Sequence, residues 1–218
     1  MPLNFLRRKK SEDAAGPAAA APARSPVAAR TGLAFDGLTE EWRLVGRMNV
    51  DGRLLDSLNK REAIEIHDVQ WAPIDGSAPL SPAPGLKSVD PYDLILVLAG
   101  PDSMPDLSEE EKAAHRVHKV AYDVALEAPP FRVTGTVLLH PGSEPDRLLD
   151  RATEMFVAVV DAQAYLGTDP VGGPDEVDTV LLNRFYLRGV EQIDKRTGMK
   201  HQKLPGSPLG GISWQDKS

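Results

Sequence analysis

The chain repeats itself, and a repeat limits the available folds more than composition does. Residues 42–71 read WRLVGRMNVDGRLLDSLNKREAIEIHDVQW, and residues 131–164 read FRVTGTVLLHPGSEPDRLLDRATEMFVAVVDAQA. Both open on aromatic-Arg-x-x-Gly, carry Arg-Leu-Leu-Asp in the middle and close on Asp-x-Gln. A five-residue insertion before Arg147 accounts for most of the difference in length. Such a pattern uses one supersecondary unit twice, and the two copies bury each other's apolar faces. It also argues against a one-off active site, because the matched positions are mostly structural.

Each copy reads as strand, short helix, strand. In the first, residues 42–50 suit a strand, Asp51-Gly52 a turn, residues 53–59 a two-turn helix and residues 63–71 a second strand with Ile64 and Ile66 inward. Residues 92–99, with the run DLILVLA, are apolar enough for a strand buried on both faces. The second copy runs in the same order: strand 131–139, helix near 146–152 and strand 155–165. A hairpin then joins residues 177–182 to 186–192. Between the copies, Ser108 and Glu111 form a capping box, and Val117, Val120, Ala121 and Val124 recur at helical spacing before Pro129-Pro130. The expected fold is therefore α+β. Two repeated β-α-β-β units form small antiparallel sheets or a half-barrel, with one amphipathic helix connecting them over residues 108–128.

This gives five segments: an apolar-basic head with an Ala/Pro-rich linker (1–34), a first repeat (35–107), the helix (108–128), a second repeat (129–194) and a basic tail (195–218). The linker and tail have too little apolar surface to offset the entropy of ordering. Within a total charge of −7, head and tail carry +4 each, which leaves the body at −15. So acidic a body disfavours nucleic acid, whose phosphates are held by Lys and Arg. The absence of Cys excludes disulfides, thiolate metal sites and Cys nucleophiles, and suits a cytoplasmic protein. No apolar run approaches the roughly 20 residues of a membrane span.

Four groups of residues could carry chemistry. Arg53, Asp56, Arg147 and Asp150, from the paired Arg-Leu-Leu-Asp motifs, could meet an anionic ligand at two pseudo-symmetric places. Their plainer role is to anchor a short helix through the leucines. Arg147 and Arg151 have the spacing of the arginine pair of cyclic-di-GMP-binding PilZ domains, but the companion Asp/Asn-x-Ser-x-x-Gly is absent downstream. Glu111, His115 and His118 share one helical stripe and could bind a divalent metal, although a solvated polar face explains them as well. Phe5, Leu6, Arg7, Arg8, Lys9 and Lys10 could touch an anionic membrane or an acidic partner. Asp68 and Asp161, each two residues before a Gln, read as turn-capping acids rather than as a catalytic pair. No phosphate loop, dinucleotide fingerprint or nucleophile elbow is present, so no cofactor is expected.

Over residues 42–194 the chain resembles two copies of an uncharacterised bacterial β-rich module. Its pattern is Arg-Leu-x-Asp-x-Leu-Asn, then a strand ending near Asp-Ala, then Val-Asn-Arg and a final apolar strand. Residues 53–59 fit the first element, and Asp161-Ala162 and Leu182-Asn183-Arg184 fit the later ones. The first copy lacks the Asn-Arg element, and the second lacks Leu-Asn after its Asp. The resemblance implies a fold and no activity. The function expected from the sequence is non-enzymatic: interaction with a protein partner or regulation. The rival expectation is an anion-sensing module with a pocket between the repeats.

Overall fold

The computed structural model describes residues 32–100, 119–151, 154–172, 177–194 and 196–200. Its strands are β1 (Leu33–Leu38), β2 (Trp42–Met48), β3 (Ile64–Pro73), β4 (Ser81–Pro82), β5 (Ser88–Val89), β6 (Leu96–Ala99), β7 (Val120–Ala128), β8 (Phe131–Leu139), β9 (Phe156–Leu166), β10 (Asp169–Val171), β11 (Val177–Asn183) and β12 (Gly189–Gln192). All pairings are antiparallel. Among the described residues, helix is confined to α1 (Leu54–Asn59) and two 3-10 segments, Pro91–Asp93 and Pro145–Leu149.

The molecule is thus nearly all β, and the α+β expectation with a connecting helix is overturned. Val120–Ala128, the described part of that helix, is strand β7, which pairs along its whole length with β8. Val120, on the apolar stripe of the expected helix, is 39% exposed. The same residues carry a period of two, with Val124, Leu126 and Ala128 buried. Pairing with β8 along the whole segment selects that period over the helical one. Pro129-Pro130 is the hairpin turn between the two strands, not a helix stop. Ser108, Glu111 and Val117 lie outside the described residues. Two further corrections concern connections. Residues 91–93 are a 3-10 turn before β6. β11 and β12 do not form a hairpin: β11 pairs with β9 and β6, while β12 pairs with β7.

Strands β1–β6 and β7–β12 form two modules with the same pairings in the same register. Leu38 opposes Arg43 as Glu127 opposes Arg132. Val45 opposes Gln70 as Thr134 opposes Gln163, and both ladders shift at the next residue, Gly46 or Gly135. Ile64 opposes Val89 as Val157 opposes Leu182. Trp71 opposes Ser81 as Ala164 opposes Val171. Leu38 opposes Leu96 as Glu127 opposes Gly189. In each module the last two strands, β5 and β6 or β11 and β12, are halves of one strand broken by a turn. The first half pairs with the third strand and the second half with the first, so each module closes on itself.

The Asp-x-Gln motif has a backbone cause. Asp68 and Asp161 have positive φ, 52° and 46°, at the bulge where the ladder shifts. A Cβ on Gly46 would meet the His67 carbonyl at 2.9 Å, and one on Gly135 the Val160 carbonyl at 2.9 Å. Asp tolerates the left-handed region better than most residues, and only Gly allows the partner strand so close. The motif therefore marks a bulge, used twice.

Strands β6 and β11 join the modules through Leu96–Leu182, Val97–Leu181, Leu98–Val180 and Ala99–Thr179. This seam is a wall between two cores. Leu96, Leu98, Val180 and Leu182 face one core with Val124, Leu126, Phe131, Val133 and Val159. Val97, Ala99 and Leu181 face the other with Phe35, Leu54, Leu58, Ile66 and Phe156. Every residue of β6 is buried, which explains its unbroken apolar run. No helix among the described residues is long and apolar enough to cross a membrane.

Candidate functional site

The inner face of β2 runs Met48, Gly46, Leu44, Trp42. Met48 and Leu44 are buried, and Trp42 emerges at the start of the strand. The β1–β2 turn fixes Trp42: Thr39 N donates to the Trp42 carbonyl at 2.8 Å, and Trp42 N donates to Thr39 Oγ1 at 2.9 Å. On β3, Trp71 continues the face of Val69 and stands opposite Leu44, one step diagonal from Trp42. The two indoles stack with centroids 4.7 Å apart and planes 22° apart. Trp42 is 36% exposed, Trp71 42% and neighbouring Leu80 40%. On the other face of β2, Arg43 grips Asp36 in a two-pronged ion pair, Nε–Oδ1 2.9 Å and Nη2–Oδ2 2.5 Å. That hydrogen bond raises the guanidinium pKa further above its ordinary value, against the opposing effect of burial.

The second module offers a comparison at the same place. Phe131 and Ala164 occupy the positions of Trp42 and Trp71, and both are 1% exposed within the core. The same inward-facing position is therefore covered in one module and open, with larger and more aromatic side chains, in the other. An exposed apolar group of this size is where a binding surface is sought.

The residues singled out from the sequence lie elsewhere. Arg53 is the residue before α1; its carbonyl accepts from Ser57 N at 3.1 Å, and the Asp56 carbonyl accepts from Lys60 N at 3.2 Å. The corresponding segment of the second module, Pro145–Leu149, is a 3-10 turn, and Arg184 gathers carbonyls from it and from the residues that follow. Its Nε donates to Leu148 O at 2.8 Å, Nη1 to Glu154 O at 3.2 Å and Nη2 to Arg147 O at 2.9 Å and to Asp150 O. Burial lowers the Arg184 pKa, while Asp150 and Glu154 oppose that shift. In this motif the backbones of Arg147 and Asp150 thus serve as acceptors for a buried guanidinium. Of the leucines, Leu54 and Leu148 are buried, whereas Leu149 is 41% exposed. Glu111, His115, His118 and the head Phe5, Leu6, Arg7, Arg8, Lys9 and Lys10 fall outside the described residues.

Sequence reading missed how the two breaking turns are tied together. Asn183, fully buried, accepts from Phe185 N at 3.0 Å and donates to Leu94 O at 2.8 Å and Pro91 O at 3.3 Å. Asp90, at the same place in the first module, likewise accepts from Tyr92 N at 2.9 Å. The equivalent rings of Tyr92 and Phe185 then stack on each other, 5.7 Å apart, with the Arg61 guanidinium 5.6 Å over Phe185. Asn59 holds Phe156 by both backbone groups, accepting at 2.7 Å and donating at 3.2 Å. Among the described residues no buried side-chain donor or acceptor lacks a partner. These polar groups are occupied in holding the modules together. A shallow cleft of about 160 Å³ beside α1 is lined by Asn49, Asp51, Ser57, Lys60, Glu62 and Glu65, a lining richer in acid than in base.

No family model, curated protein or solved structure matches the chain.

Proposed function

We propose that this is a non-enzymatic bacterial interaction protein, built from two copies of one β module, that binds a protein partner through the exposed Trp pair of the first module. The observation carrying this reading is the stacked Trp42/Trp71 pair, exposed where the second module buries Phe131 and Ala164. Covering an indole of this kind is worth on the order of 1.5–3 kcal/mol, and Trp is over-represented among residues that dominate binding energy. Leu80, beside the Ser81 that opposes Trp71, is a further exposed apolar side chain nearby in the chain. The acidic body favours a partner with basic or neutral contacts over nucleic acid. We place the protein in the cytoplasm, with residues 5–10 able to hold it weakly against an anionic membrane surface.

The test compares the intact chain with a Trp42→Ala/Trp71→Ala double variant as bait, with retained proteins quantified by mass spectrometry. At least one protein held by the intact chain should be lost by the double variant while circular dichroism is unchanged. Identical retained sets would remove the reading. A saturable thermal shift with a nucleotide or other anion, abolished by Arg53→Ala or Arg147→Ala, would instead favour the sensing alternative.

A further inference from the structure

The seam between the modules joins two non-equivalent edges. β6 contributes the outer edge of a last strand, and β11 that of the strand before the turn. The equivalents of these edges occur once more in the molecule: β12 stands in the second module where β6 stands in the first, and β5 where β11 does. A contact between unlike surfaces leaves one of each over, and those can be joined between copies.

The β12 edge is capped where the strand ends. Ile193 N donates to Asp123 O on β7 at 2.9 Å, so the backbone groups of Gln192 and Asp194 point away from β7. On that outer side Asp194 N donates to Met199 O at 2.9 Å, Ile193 pairs antiparallel with Lys200, and Lys200 forms an ion pair with Glu191. The chain after Asp194 therefore turns back on the side that β11 takes on β6, pairing with Ile193 and Asp194 at the end of β12 and reaching Glu191 through Lys200. Among the described residues, β5 pairs only with β3, and Lys87 and Ser88 are exposed. If the seam register is copied onto these edges, Glu191 takes the place of Leu98 and Lys87 that of Val180. An acid then faces a base across the ladder, and Lys200 already supplies the same charge to the same carboxylate.

We propose that the outer edges of β12 and β5 are complementary halves of a self-association junction, kept closed by the C-terminal turn-back, and that the partner is a second copy of this chain. An unpaired edge is a standing template for another strand, and covering it with a terminal segment is one way to block propagation.

The experiment removes residues 195–218 and follows mass by light scattering over a range of concentrations. The intact chain should stay at one copy and the truncated chain should form larger species as concentration rises. Lys87→Glu in the truncated chain should return it to one copy. In the full chain, Lys200→Glu repels Glu191 and should promote the same association, which keeps the test open if truncation impairs folding. Because the natural chain has no Cys, truncated Lys87→Cys and Glu191→Cys proteins should cross-link on oxidation when mixed and not separately. Single copies in both the truncated and the Lys200→Glu proteins would overturn the proposal. So would association unaffected by Lys87→Glu, or cross-linking of either Cys variant alone.

Discussion

At the scale of single residues, the buried polar groups show how two copies of one module came to differ. The first module satisfies its helical connection internally, because α1 is long enough for Ser57 N and Lys60 N to reach back. The second has a shorter 3-10 turn and relies on Arg184, whose place in the first module is taken by Pro91. Replacing Arg184 by Met should cost about 3 kcal/mol or more in urea unfolding, since several carbonyls lose a donor in a site water enters poorly. Arg184→Lys should recover only part of this, because an ammonium cannot reach acceptors spread around a planar fork. A loss under about 1 kcal/mol for both would mean that the carbonyls find other donors. In the sequence, Asn183-Arg184 was visible as a motif, but its role was not: the acceptors are main-chain carbonyls, which leave no mark in the side chains around them. The Trp pair was legible only as the two ends of a repeat, because exposure depends on what the other module happens to cover.

Among elements, the repeated Gly and Asp-x-Gln positions were plain in the sequence, although the acids read there as turn caps and stand in bulges, and the connecting helix was the least readable. Gly46 with Asp68 and Gly135 with Asp161 are spaced by a strand crossing, so the Gly and the Asp-x-Gln of each copy are two sides of one ladder shift. Gly135→Ala should destabilise the chain by about 1–3 kcal/mol through contacts with Val160 O and Ala162 Cα that cannot relax without moving β9. Gly85→Ala, where an added Cβ meets nothing within 4 Å, should be neutral or stabilising by up to about 1 kcal/mol. Equal effects at the two sites would show that the bulge is not held by close approach. The segment 120–128 misled because its valines fit both periods. Only the pairing of β7 with β8 across the hairpin and with β12 at long range decides between them, and the segment's own periodicity does not contain it. β1 went unread for a related reason: Leu33–Leu38 adjoins an Ala/Pro-rich stretch and contains Gly37, and its partners lie on both sides in space.

At the scale of the whole molecule, the duplication was plain in the sequence, while the way the copies join was not. The two copies share a wall, and each needs it: Leu38, Ile95, Leu96 and Leu98 of the first module complete the second core, and Met155, Phe156 and Leu181 of the second complete the first. A wall of this kind makes the pair of modules one cooperative unit, since opening the seam exposes both cores together. Native-state hydrogen exchange tests this most directly. The amides of β6 and β11 should be among the slowest in the chain, with opening free energies equal to the global stability from urea unfolding, while β4 and β10 exchange through local fraying. Fast exchange at β6 and β11 with protection retained in β1–β3 and β7–β9, or two separate unfolding transitions, would show instead two independent domains that merely touch.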